Sequence, residues 1–149
     1  MAPDLVLELP NDLSSIEEVV DFVMRECSSC GEDQRRLRLN LRVGLAEALA
    51  NAMLYGNGRD PSKRVKVEVA IKKSAITARV TDEGAGFDPL SIPDPTCPQN
   101  LPKTYGRGIF LMRKLLDEVR FNDRGNSVTL VLRLPQVAAG APPEGGAKA

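Results

Sequence analysis

The chain has 149 residues, and its 20 Lys and Arg balance 20 Asp and Glu, so the formal net charge is zero. That length fits one domain able to bury a proper core. Balanced charge, with mixed clusters such as 32-EDQRR-36, argues against a general nucleic-acid binder. The absence of any histidine excludes Ser-His-Asp and Cys-His catalysis by this chain alone, and excludes a phospho-acceptor histidine of its own.

The opening MAPDLVLELP has no basic segment followed by a long apolar run, so it reads as lacking a signal peptide. No stretch approaches the roughly 18 continuous apolar residues of a membrane span, and the expected location is the cytoplasm. Cys27 and Cys30 form a CxxC and Cys97 stands alone. Without histidine or a second CxxC, zinc is disfavoured; these read as reduced thiols, with a redox role as the alternative.

In chain order, Leu5 to Leu9 reads as a short strand closed by Pro10 and Asn11. The segment 14-SSIE-17 has the form of a capping box, with Ser14 as N-cap and Glu17 reaching back. Ile16, Val19, Val20 and Val23 recur at helical spacing, which predicts a first helix to about Glu26 and a turn at 27-CSSCG-31. A second helix runs from Glu32 to about Tyr55, with Leu37, Leu41, Leu45, Leu49 and Met53 as its core stripe. The segment 56-GNGRDPS-62 ends it. Period-two alternation in 64-RVKVEVAI-71 and 75-AITARVTD-82 predicts an antiparallel hairpin.

Five prolines (Pro89, Pro93, Pro95, Pro98 and Pro102) make the next stretch a long loop. Gly106 and Gly108 then lead into a helix over 109-IFLMRKLLDEV-119, and strands at 119-VRFN-122 and 127-SVTLVLRL-134 close the domain over 1–137. The tail 138–149 is small residues, Pro and Gly, and reads as disordered. The order β-α-α-β-β-loop-α-β-β predicts an α/β two-layer sandwich: a mostly antiparallel mixed sheet with three helices on one face.

Within helix two, 44-GLAEALANAMLYGN-57 sets Glu47 and Asn51 four residues apart, hence on one face. A carboxylate in an apolar helix is either solvated or has something to hold. Two glycine pairs follow. The first, 82-DEGAGFD-88, directly follows a strand; its glycines let the backbone turn sharply and approach a ligand, although alone it also reads as a tight turn. The second, 106-GRGIFLM-112, opens a helix whose N-terminal N–H groups could meet an anion. Neither is a P-loop or a Rossmann fingerprint.

Taken together and in this order, 47-EALAN-51, 82-DEGAG-86 and 106-GRG-108 resemble the N, G1 and G2 boxes of the GHKL (histidine-kinase-like) ATPase superfamily and its Bergerat-type fold over about 5–135. Within it, 44-GLAEALANAMLYGN-57 and 106-GRGIFLMRKLLDEV-119 are similar to the stand-alone bacterial anti-sigma-factor serine kinases. The resemblance implies ATP and Mg²⁺ as cofactors. It implies Glu47 as general base on the attacking hydroxyl, Asn51 as the Mg²⁺ ligand, and Asp82 as the reader of the adenine amine. Gly84 and Gly86 would let the backbone pass along the base, and Ser127 would stand near it. The loop over about 88–105 would be the ATP lid, with Lys103, Thr104, Gly106, Arg107 and Gly108 available to phosphate oxygens. Tyr55 stands where the family often has His or Ala, which touches no catalytic assignment.

The implied function is a serine/threonine protein kinase in a partner-switching circuit. Its partners would be a sigma factor and a small antagonist protein phosphorylated on serine, with no direct nucleic acid and no membrane. A homodimer through the first strand and first helix is the implied assembly. Two other readings stay open: an ATP-gated module that sequesters a partner without phosphorylating it, and a relative that phosphorylates a histidine on another protein.

Overall fold

The computed structural model describes residues 1–27, 35–84 and 103–134. The expectations for the CxxC turn, Gly86, Cys97, the body of the lid and the tail lie outside the described residues. Five strands form one sheet: β1 (Leu5–Pro10), β2 (Arg64–Ile71), β3 (Ala75–Asp82), β4 (Glu118–Phe121) and β5 (Ser127–Arg133), in the spatial order β1-β2-β3-β5-β4. Every neighbouring pair is antiparallel. Three helices, α1 (Ile16–Glu26), α2 (Arg35–Asn51) and α3 (Lys103–Leu115), complete the expected sandwich.

Alternation decides which face is inside. The register lines up Leu7, Val67, Val80, Val128 and Phe121 across the sheet, and Leu5, Val69, Ala78, Leu130 and Val119 beside them. These rows meet the helices. Val20 and Val23 of α1, Leu41, Leu45 and Leu49 of α2, and Ile109 and Met112 of α3 are buried with them in one core. Each fully buried Leu or Ile contributes about 1.5–3 kcal/mol of transfer free energy. The opposite row carries Val6, Glu68, Arg79, Thr129 and Arg120. There the Arg79 Nε donates to Glu68 Oε1 at 2.9 Å, a cross-strand charge pair. That hydrogen bond holds the Glu68 carboxyl below its ordinary range, against the opposing effect of its burial.

Several expected boundaries shift, the helix ends most. Ser14 is not the cap of α1: Asp12 Oδ1 accepts from the Ser14 N–H at 3.0 Å and from its hydroxyl at 2.9 Å, and a 3₁₀ turn over Leu13–Ser15 precedes the helix. Asp12 is thus the cap of the 3₁₀ turn, and α1 itself starts from Ser15 with no side-chain cap bond. Regular α2 stops at Asn51, and Ala52–Gly56 form a π-helical turn, with the Asn57 N–H bonded to Ala52 O at 2.7 Å. Helix α3 begins at Lys103 and ends at Leu115, so Gly106 and Gly108 lie inside it rather than in front of it. The N–H groups of its first turn are those of 103–106. Among the described residues no helix is long and apolar enough to cross a membrane.

Candidate functional site

Helices α2 and α3 run side by side, and glycines set their spacing. A Cβ on Gly44 would stand 2.6 Å from Leu116 Cδ1, so α2 lies close to the chain just past the end of α3. At the other end, a Cβ on Gly108 would stand 2.7 Å from Glu47 Oε1 and 3.2 Å from Asn51 Nδ2. Glu47 and Asn51 thus converge on one bare patch of α3 backbone, which only glycine leaves open. Glu47 is half-buried, whereas Asn51 is buried. Among the described residues the Asn51 Nδ2 has no hydrogen-bond partner. A buried amide left this way costs about 1–3 kcal/mol, so the arrangement is not one that folding alone favours.

A second polar corner forms where β3 ends. Asp82 is 8% exposed and its Oδ1 accepts from the Gly84 N–H at 2.8 Å. Burial pushes its carboxyl above the ordinary 3.8, opposed by that hydrogen bond and by Lys63. The π-helical turn is pressed against this corner: a Cβ on Gly56 would overlap the Asp82 carboxylate, and one on Gly84 would overlap the Gly56 carbonyl oxygen. An extra residue in a helical turn often marks a functional site. Here it brings Gly56, five residues past Asn51, onto Asp82.

The expected residues are therefore brought together in two groups. Glu47, Asn51 and Gly108 form one, Asp82 and Gly84 the other, and the single turn Ala52–Gly56 joins them. Gly106 is buried one turn into α3 and Arg107 is exposed beside it. Lys103 and Thr104 lie in the first turn of α3, but their side chains lie outside what is described. Ser127 is not brought to Asp82. It pairs with Thr81 in register, and its hydroxyl lies 3.0 Å from Thr81 Oγ1, on the face that turns away from the helices. Side chains one residue apart on a strand point to opposite faces, so Thr81 and Asp82 cannot share a face.

Two neighbours of Asp82 escaped sequence reading. The Asp82 N–H donates to Asn126 O at 2.9 Å, tying the corner to β5's entrance. Asn57, 2% exposed, accepts the Glu83 N–H at 2.8 Å. Both asparagines sit among glycines in turn-forming stretches, where their type signals a turn and nothing more.

Residues 9–132 match a family described as the histidine kinase-like ATPase domain, and the chain belongs to that family. It is 29% identical over 101 residues to the anti-sigma F factor of Geobacillus thermodenitrificans, a match covering 66% of this chain and 68% of that one. With the serine-protein kinase RsbW of Oceanobacillus iheyensis it shares 26% identity over 91 residues, 57% of this chain and 58% of that one. The RsbW of Listeria monocytogenes gives 26% over 98 residues, 61% and 62% respectively. Against these two kinases the match spans less than two thirds of their length.

Proposed function

We propose that the chain is an ATP-dependent serine/threonine protein kinase of the anti-sigma-factor type, acting in the cytoplasm. It would bind a sigma factor and pass the γ-phosphate of ATP to a serine of a small antagonist protein, as a homodimer through β1 and α1. One observation carries this reading: Glu47 and Asn51, buried with its Nδ2 unpartnered among the described residues, converge on Gly108, a single helical turn away from the buried carboxylate of Asp82. The likeness to anti-sigma F factors and serine-protein kinases supports it.

Asp82 would accept from the exocyclic amine of adenine, where guanine presents a carbonyl. Gly84 and Gly86 would let the backbone pass along the base. The N–H groups at the start of α3 would meet phosphate oxygens, with Lys103, Thr104, Gly106, Arg107 and Gly108 around them. Among the described residues no group of three or more His, Cys, Asp or Glu could hold a metal. Magnesium does not need one, because it keeps waters and takes phosphate oxygens, so one protein oxygen suffices. The Asn51 Oδ1 would take that place, while its unpartnered Nδ2, a donor, would meet a phosphate oxygen or a water, and Mg²⁺ there would neutralise charge on the phosphates. Glu47 would take the proton from the acceptor serine hydroxyl. The serine oxygen bonds to the γ-phosphorus as the bond to the β–γ bridging oxygen breaks, and ADP leaves. Ser127 has no part in this scheme, because its hydroxyl is engaged on the outer face.

The test uses Glu47→Gln as bait in native lysate, with and without MgATP, followed by wild-type protein and ATP on what is captured. The expected result is a partner phosphorylated on serine, acid-stable, with the variant slower by roughly 10²–10⁴-fold and its ATP affinity retained. A partner held only with ATP and never phosphorylated would replace the kinase by a gated sequestering module. An acid-labile phosphate would point to a histidine acceptor instead.

A further inference from the structure

Asn57 takes no part in the scheme above, yet its amide is bonded on every side. Its Nδ2 donates to Arg64 O at 3.0 Å and to Asn11 Oδ1 at 3.1 Å, and its Oδ1 accepts from the Glu83 N–H at 2.8 Å. Asn11 in turn donates to Asp60 O at 3.0 Å and to Met53 O at 3.3 Å. The pair therefore links the end of β1, the π-helical turn, the start of β2 and the turn after β3. Three successive N–H groups of that last turn are each held: Asp82 by Asn126 O, Glu83 by Asn57 Oδ1 and Gly84 by Asp82 Oδ1. The Glu83 side chain closes the frame by accepting the Arg64 N–H at 2.8 Å.

The chemistry of the position calls for an amide. One acceptor and two donors are needed at once, which a carboxylate or a hydroxyl cannot supply. Gly56 lies against one side of the Asp82 carboxylate and Gly84 donates to its Oδ1, while the intervening Glu83 N–H is held by the Asn57 side chain rather than by backbone. We propose that Asn57 is a positioning residue for base selection: by holding the Glu83 N–H, it sets the angle at which Asp82 faces the nucleotide base. Asn11 is its support from β1. This inference rests on the reading of Asp82 as the base reader.

The experiment measures dissociation constants for MgATP and MgGTP by titration calorimetry, well below each variant's melting temperature. It compares wild type, Asn57→Ala, Asn11→Ala, Asp82→Asn and, as a remote control, Val23→Ala in α1. Asn57→Ala should weaken ATP by roughly 5–10-fold, the effect of one hydrogen bond, with GTP little changed, so that the preference for ATP falls. Asn11→Ala should lower the same ratio by a smaller factor. Val23→Ala should lower the melting temperature and leave the ratio at its wild-type value, since lost stability alone does not alter base choice. An Asn57→Ala ratio equal to wild type, while Asp82→Asn loses it, overturns the inference and leaves the base reader standing. If Asn57→Ala does not fold, an unchanged ratio in Asn11→Ala overturns it instead. Wild-type protein that binds GTP as tightly as ATP overturns the base reader and the inference together.

Discussion

The two polar corners of the molecule are built in opposite ways. At the end of β3 the groups are bonded to one another: Asp82 to Gly84, Glu83 to Asn57, Asn57 to Asn11 and Arg64. At the crossing of α2 and α3, Asn51 is buried with its Nδ2 unpartnered among the described residues, and Glu47 stands half-buried beside it. The first corner is satisfied within the fold, whereas the second keeps a buried donor without a partner among the described residues. The contrast suits a nucleotide whose base is recognised by a fixed frame and whose phosphates bring their own cation and water. Buried polar groups without partners are rare in folded chains and mark sites for that reason.

Substitutions can break this contrast. The largest effect is expected from Gly108→Ala, whose methyl would press on Glu47 and Asn51. These are side-chain ends that can yield, so the fold should survive while phosphoryl transfer falls by roughly 10²-fold, as for a displaced catalytic group. Transfer assays beside thermal melts would show it, and a large loss of melting temperature would contradict it. Gly84→Ala should do the reverse. Its methyl would meet the Gly56 carbonyl, which is backbone and cannot rotate away, so denaturant unfolding should show a loss of about 1–3 kcal/mol.

Asn51→Leu sharpens the contrast from the other corner. It removes a buried donor without a partner, so stability should rise by about 1 kcal/mol while Mg²⁺-dependent ATP binding disappears. Retained Mg²⁺-dependent affinity would remove Asn51 from the metal site. The smallest effect on stability is expected from Asp82→Asn. Because burial raises this carboxyl above 3.8 in the folded chain, the native state holds its proton longer than the unfolded one. That contribution to stability is present below the unfolded value and is lost as pH rises through the folded one. Wild type minus variant stability should therefore decline across that window and stay level at neutral pH, where the variant gains. A difference that rises with pH would contradict the desolvated carboxylate.

Much of this was legible in the chain itself. The alternation of β2 and β3 predicted both strands residue for residue, because one face of the sheet is buried and the period is strict. The i, i+4 spacing of Glu47 and Asn51 placed them on one face of α2 without any structure. Helix boundaries were less legible. A 3₁₀ turn capped by Asp12 precedes α1, so Ser14 is spent inside that turn, its N–H and hydroxyl both bonded to Asp12, and α3 began earlier than the glycines suggested. Ser127 faces away from the helices, as the alternation of its own strand requires, because Val128, Leu130 and Leu132 take the inner face.

Local chemistry thus determined the strands, the core stripe and the face that Glu47 and Asn51 share, since periodicity and residue type act over a few positions. What tertiary structure alone decided is adjacency. Gly108 lies against Glu47 and Asn51 only because α2 and α3 pack side by side, and Gly56 reaches Asp82 only because the chain widens into a π-helical turn there. Asn57 reads as a turn residue in the sequence. Its role comes from Asn11, Arg64 and Glu83, which the sheet gathers from three distant stretches of chain around one amide.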